Sequence, residues 1–185
     1  MGFSPRHFLP KEIEDGKIND FMPKPKPADG HTSPAQPKPR KNHCFACGKD
    51  NPQGMKLNFY LEEESRRAIC EFKLSRNYQG PPGHAHGGII ATILDEAMGK
   101  VNILSKVVAL TKNMEVEYLK PVPLGQKLTV IGRERESAGR KHVNVAEIAN
   151  DKGEILARST GTFIAVDFQR MFGALQKSAK SGATS

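Results

Sequence analysis

From Leu57 onward, short apolar runs alternate with polar ones, and each run predicts an element. Leu57-Asn-Phe-Tyr-Leu61 and Ala68-Ile-Cys-Glu-Phe72 read as two strands joined by the polar turn Glu62–Arg67. Gly80-Pro-Pro-Gly83 excludes regular structure and marks a loop. Beyond it, Ile89, Ile90, Ile93, Leu94, Ala97 and Val101 recur at helical spacing, and most other positions up to Leu104 are small or apolar. A helix apolar on nearly every side belongs inside the protein. Four strand-like segments follow, Thr111–Leu119, Gln126–Glu136, His142–Ala149 and Glu154–Val166. Turn signals separate them at Pro121–Gly125, Ser137–Gly139 and Asn150-Asp-Lys-Gly153, the last a hairpin pattern. Phe168–Leu175 predicts a short helix before a Lys/Ser/Gly tail. Two strands, one long apolar helix and four strands make an α+β fold, an antiparallel sheet wrapped around a buried helix.

The first 42 residues follow another pattern. They hold eight of the 13 prolines, with Pro23-Lys-Pro-Lys-Pro27 and Pro37-Lys-Pro39 among them. Such repeats favour extended, polyproline-like chain and cannot donate ladder hydrogen bonds. The domain reading is therefore a disordered Pro/Lys-rich arm over 1–42, a folded domain over 43–167, and a short helix with a flexible tail over 168–185. The arm holds eight Lys/Arg and five Asp/Glu, so it contributes only +3 of the formal net charge of +8. A chain of that net charge suits an anionic partner. No run approaches the 18 or so apolar residues of a membrane span. The start has neither an apolar signal core nor an Arg-rich amphipathic pattern, and three cysteines make no disulfide framework. These features point to the cytoplasm.

The densest candidate chemistry lies in Gln79-Gly-Pro-Pro-Gly-His-Ala-His-Gly-Gly88 and in Asp95 on the following helix. Two glycines at a helix start let a ligand approach the backbone, where unpaired N–H groups and the helix dipole favour an anion or a polarised carbonyl. Asp95 stands among Ile, Leu, Ala and Met, and a buried carboxylate is costly unless paired or put to use. The plain alternative is an Asp95 that faces solvent beside Glu96 or caps a neighbouring element. Gly87 and Asp95 lie eight residues apart, about 12 Å along a helix. One carbonyl cannot sit near both within a single chain. If the two serve one reaction, the Asp of one subunit must face the Gly of another, which implies a two-fold dimer with two identical sites.

Three segments, Cys44-Phe-Ala-Cys-Gly-Lys-Asp-Asn-Pro-Gln-Gly54, Gln79–Gly88 with Asp95, and Leu110–Pro121, resemble the hotdog-fold acyl-CoA thioesterases, within them the PaaI-like and THEM-type branch. The resemblance covers residues 43–167. It implies an enzyme that hydrolyses acyl-CoA to a carboxylic acid and free CoA, with no cofactor because CoA is part of the substrate. It implies further that the Gly87 N–H polarises the thioester carbonyl, that His86 orders the loop, and that Asp95 of the facing subunit acts as general base or nucleophile. Thr111 then positions the water or the Asp. Some relatives carry an Asn before the His, whereas this longer loop offers Gln79 or Asn77. Gln79, Gly88, Arg140 and Lys141 are the candidate substrate contacts, the last two for CoA phosphates. Implied partners are the acyl-CoA and a second copy of the chain, as homodimer or as dimer of dimers (a homotetramer), with neither nucleic acid nor membrane.

A different class of function is an acyl-CoA-binding hotdog sensor without catalysis. Known sensors of that type add a DNA-binding helical module, which the arm does not resemble, and the presence of both Asp95 and Thr111 favours catalysis. Hotdog hydratases carry a different loop. Cys44 and Cys47, with His43 adjacent, resemble half of a metal site, but zinc needs four ligands and no second Cys/His pair lies nearby in the chain. The expectation is reduced, packed thiols and no metal.

Overall fold

Helix α1 (Gly87–Leu104) forms where the apolar period predicts it. In this computed structural model, residues 41–167 and Arg170 are described. The predicted arm up to residue 40, and the predicted C-terminal helix and tail apart from Arg170, lie outside the described residues. Ile90, Ile93, Leu94, Ala97, Met98 and Val101 form the buried face of α1. The remaining sides correct the expectation of burial all round. Thr92, Asp95, Glu96, Gly99 and Lys100 are half-buried, and Ile103 is 52% exposed. Within one chain the sheet covers a single side of the helix.

That sheet has six strands, β1 (Tyr60–Glu62), β2 (Arg67–Phe72), β3 (Ala109–Tyr118), β4 (Leu128–Ala138), β5 (Lys141–Asn150) and β6 (Ile155–Ala165). Their order is β1-β2-β4-β5-β6-β3, and every neighbouring pair is antiparallel. The first strand is shorter than its apolar run. The Met55 and Leu57 N–H groups donate to Phe45 O and Ala46 O, at 2.8 and 2.9 Å, so these residues pair with the turn at 44–48 and not with β2. The hairpin expected at Asn150–Gly153 forms. The Asn150 side-chain oxygen accepts the N–H groups of Lys152 and Glu154, and Gly153 takes a positive φ of 78°.

Helix and sheet meet most closely at Gly132 in the middle of β4. A Cβ there would lie 2.5 Å from the Ala97 carbonyl oxygen and 3.2 Å from Val101. Glycine and alanine at facing positions therefore set the depth at which α1 seats. A buried polar link fixes its rotation, because Asn144 on β5 donates to Met98 O and Asn102 Oδ1 at 2.8 and 2.9 Å. Buried Leu94, Met98, Leu128, Val130, Ile148 and Phe163 fill the space between. Among the described residues no helix is long and apolar enough to cross a membrane.

Replacing Gly132 by Ala would push α1 off the sheet, because the clashing atom is backbone. The expected loss is about 1–3 kcal/mol, the usual cost of overpacking, read as a lower midpoint in thermal or urea unfolding.

Candidate active site

The glycine-rich loop folds back on itself before it releases the helix. Gly80 N–H donates to His84 O, and His84 N–H to Pro81 O, both at 3.0 Å. The Gln79 side-chain oxygen accepts the Gly83 N–H at 3.3 Å. Gly80 must lack a side chain, since a Cβ would lie 2.8 Å from the His86 Cα. The loop is tied down on both flanks, by Ala85 N–H to Val122 O and His86 N–H to Tyr78 O, each 2.9 Å. These bonds hold His86 extended at the N-cap, where its Nδ1 accepts the Gly88 N–H at 3.0 Å. A ring nitrogen that accepts carries no proton, so the neutral imidazole bears its hydrogen on Nε2.

The orphan amides of the first turn are thus shared out. Gly88 N–H goes to the His86 ring, and the Ile89 and Ile90 N–H groups go to His86 O at 3.0 and 3.2 Å. Among the described residues none accepts the half-buried Gly87 N–H. It is a donor at the positive end of an 18-residue helix, with geometry suited to an oxyanion. The Gly87 carbonyl is held as well, because the Tyr118 hydroxyl donates to it at 3.1 Å. Nothing in the sequence marks Tyr118 for this contact. It depends on β3 running beside the start of α1.

Asp95 stands two turns further along. Thr111 Oγ1 donates to Asp95 Oδ1 at 2.8 Å. The pairing of β3 with β6 slips by one residue between Thr111 and Asn113, and a bulge of this kind re-aims the side chains beside it. Burial pushes the Asp95 carboxyl above its ordinary value, and the neighbouring Glu96 charge adds to the rise, while the Thr111 hydrogen bond opposes it. The solvent-facing alternative for Asp95 is thereby corrected. The residue is half-buried, hydrogen-bonded and shifted toward the protonated form.

The candidate residues do not all converge. Gln79, His86, Gly87 and Gly88 gather at the start of α1, with Gln79 bonded within its own loop. Asp95 and Thr111 sit near the middle of the helix, about 12 Å away at the helical rise. Arg140 and Lys141 lie at the β4–β5 turn, beside the far end of the helix. Arg140 Nε donates to Ala165 O at 2.9 Å, and Lys141 pairs with Glu136 at 3.6 Å. Arg140 also borders an open cavity of about 910 Å³ with Lys106, Val108, Asp167 and Arg170.

A helix laid across a single antiparallel sheet, with a glycine-rich loop feeding its N-terminus and an aspartate in its middle, defines a hotdog domain. Residues 82–157 match the thioesterase superfamily. Over 128 residues it is 30% identical to the rat acyl-coenzyme A thioesterase THEM4, an alignment that takes in 69% of this chain and 55% of that protein. The chain thus spans about half the length of the curated relatives it matches. Among solved structures it superimposes on Streptococcus mutans smu.793, bound to acetyl-CoA, with a TM-score of 0.56 and 25% identity, covering 60% of this chain and 88% of that one. The Escherichia coli PaaI protein shares the fold, with a TM-score of 0.57 at 17% identity over 61% of this chain and 81% of that one.

The raised Asp95 carboxyl sets a sign for stability. Its folded pKa lies above the unfolded one, so the fold favours the protonated acid and is penalised as pH rises through the ordinary carboxylate range. Asn at this position keeps the oxygen that accepts from Thr111 and carries no charge. Asp95→Asn is therefore expected to melt higher than the native chain at neutral pH, with the difference vanishing below about pH 4, checked by thermal unfolding across pH.

Proposed function

We propose that the protein is an acyl-CoA thioesterase whose active site is completed by a second copy of the chain. The Asp95–Thr111 pair carries this reading: a half-buried carboxylate, on the same helix that begins with the free Gly87 N–H, is oriented by a hydroxyl from β3. The homology to THEM4 and the acetyl-CoA bound in the streptococcal relative support acyl-CoA as the substrate class.

In the proposed reaction the thioester carbonyl lies against the Gly87 N–H of one subunit. The developing oxyanion is then held by a donor that is already oriented, at the positive end of the helix. His86, exposed at the N-cap beside Gly87, is the proposed contact for the acyl group or thioester. Asp95 of the partner copy removes a proton from water, or attacks the carbonyl itself, from the opposite face of the thioester. In either case its raised pKa makes it a stronger base than an exposed carboxylate, and Thr111 fixes which oxygen is free to react. In the base route the proton taken from water passes to the CoA sulfur, which leaves as the thiol with the acyl group as the carboxylate; in the attack route CoA leaves first, and water then hydrolyses the acyl anhydride on Asp95 to the same products. The basic turn at Arg140 and Lys141 is the proposed contact for CoA phosphates.

An edge strand supports the pairing. β3 ends the sheet with its outer ladder unpaired among the described residues, and Leu110, Tyr118 and Leu119 on or beside it are 44–55% exposed. Ten residues of open, partly apolar edge are a surface that proteins ordinarily cover. A second β3 would cover it and bring the two α1 helices alongside each other in opposite directions.

Free CoA released from short, long and aromatic acyl-CoAs is the direct assay, with the three protein thiols subtracted. Asp95→Asn is expected to lose about 10²–10⁴-fold in kcat, the usual contribution of a general base. Activity of the native enzyme should fall on the acid side through a pKa above the ordinary aspartate value. Bound but uncleaved acyl-CoA would convert the assignment to a sensor, and undiminished turnover in Asp95→Asn would remove Asp95 from the mechanism.

A further inference from the structure

The proposed reaction makes no use of the turn at 44–48, yet that turn is built with care on the outer side of α1. Gly48 N–H donates to Cys44 O at 2.9 Å, and a Cβ on Gly48 would lie within 2.6 Å of the Cys44 and Asn42 backbone. So tight a turn places two thiols three residues apart on one side. Folding then adds what the sequence keeps 49 residues away. The Cys44 and Cys47 sulfurs and a Glu96 carboxylate oxygen all lie within 4.8 Å of one another, with Cys44 Sγ 3.8 Å from Glu96 Oε2.

We propose that Cys44, Cys47 and Glu96 form a binding site for a thiophilic divalent cation of the zinc class, with Lys100 as its outer partner. Two thiolates and a carboxylate suit Zn²⁺, and the three together leave a fourth tetrahedral position for water. Charge balance supports the assignment. Three anionic ligands carry −3, and one divalent ion with the Lys100 ammonium carries +3. Lys100 is already in place for that role, with its Nζ 3.2 Å from Cys47 Sγ and 3.2 Å from Glu96 Oε1. A cation bonded to a ligating sulfur and a ligating carboxylate orients both. Binding would staple the N-terminal turn to α1, and it would draw off the Glu96 charge beside Asp95. The second consequence rests on the thioesterase reading, whereas the site itself does not.

The test uses the full chain, reduced and freed of metal, titrated with Co²⁺ and then with Zn²⁺ against a chromophoric chelator. Expected are one metal ion per chain, tetrahedral Co²⁺ bands with thiolate charge transfer, and loss of both in Cys44→Ser and in Cys47→Ser. Glu96→Gln and Lys100→Met should weaken Zn²⁺ affinity by about 10–100-fold while thermal unfolding without metal stays cooperative. The idea is overturned by reduced protein that takes up no stoichiometric Co²⁺, or by uptake that survives Cys44→Ser. A Cys44–Cys47 disulfide in protein that still binds nothing after reduction would overturn it equally. None of these readouts requires thioesterase activity, so failure of the metal site and failure of the thioesterase reading are distinguishable.

Discussion

The seating of α1 on the sheet is the constraint on which the rest depends. A helix can approach a strand this closely only where one partner has no side chain, and Gly132 under the Ala97 carbonyl is that place. The helix cannot roll there either, because Asn144 reaches Met98 and Asn102 from β5. From this fixed axis follow the direction of the Gly87 N–H, the height of Asp95 above the edge strand, and the side on which Glu96 and Lys100 meet the N-terminal turn. Each depends on the helix being rigid and deeply set, since a shift of one ångström would separate Thr111 from Asp95.

The same helix carries a cost. Asp95 is held in a setting that disfavours its charge, with Glu96 next to it and the apolar core behind it. Structural demand alone would place Asn or an apolar residue there. A carboxylate retained against its own solvation, oriented by one hydroxyl and lifted in basicity, fits a group kept for proton transfer or attack. The thiols differ. Burial and Glu96 push Cys47 up to about 11, and burial pushes Cys70 to about 11, so neither is a reactive nucleophile in this state.

Much of the fold is legible in the sequence because each element has its own periodicity. The apolar period of α1 and the Asn150–Gly153 turn are local signals and both form, although on the helix Ile89 is only half-buried and Met98 joins the buried face instead. The first strand misleads, since Leu57 is apolar for the sake of the core and bonds to Ala46 rather than to a sheet partner. The loop, the glycines, Asp95 and Thr111 stand out as residue types in the wrong company or in a known pattern. What cannot be read locally are the contacts made by topology. Tyr118 meets Gly87 because β3 passes the helix start, Thr111 is aimed by a bulge, and Glu96 completes the cysteine pair from the middle of a distant helix.

The central claim is that the oxyanion donor and the carboxylate of one site come from different copies of the chain. Subunit mixing tests it directly. Gly87→Pro removes the N–H at the first helical position, where proline is tolerated, and His86 already has the extended backbone, φ −66° and ψ 139°, that a following proline requires. This variant and Asp95→Asn are each inactive on the present account. Unfolded, mixed and refolded in equal amounts, they should recover roughly a quarter of native turnover, because half of randomly paired dimers then hold one intact site. A mixture as inactive as its components, although shown to exchange subunits, would place both groups in one chain and contradict the account.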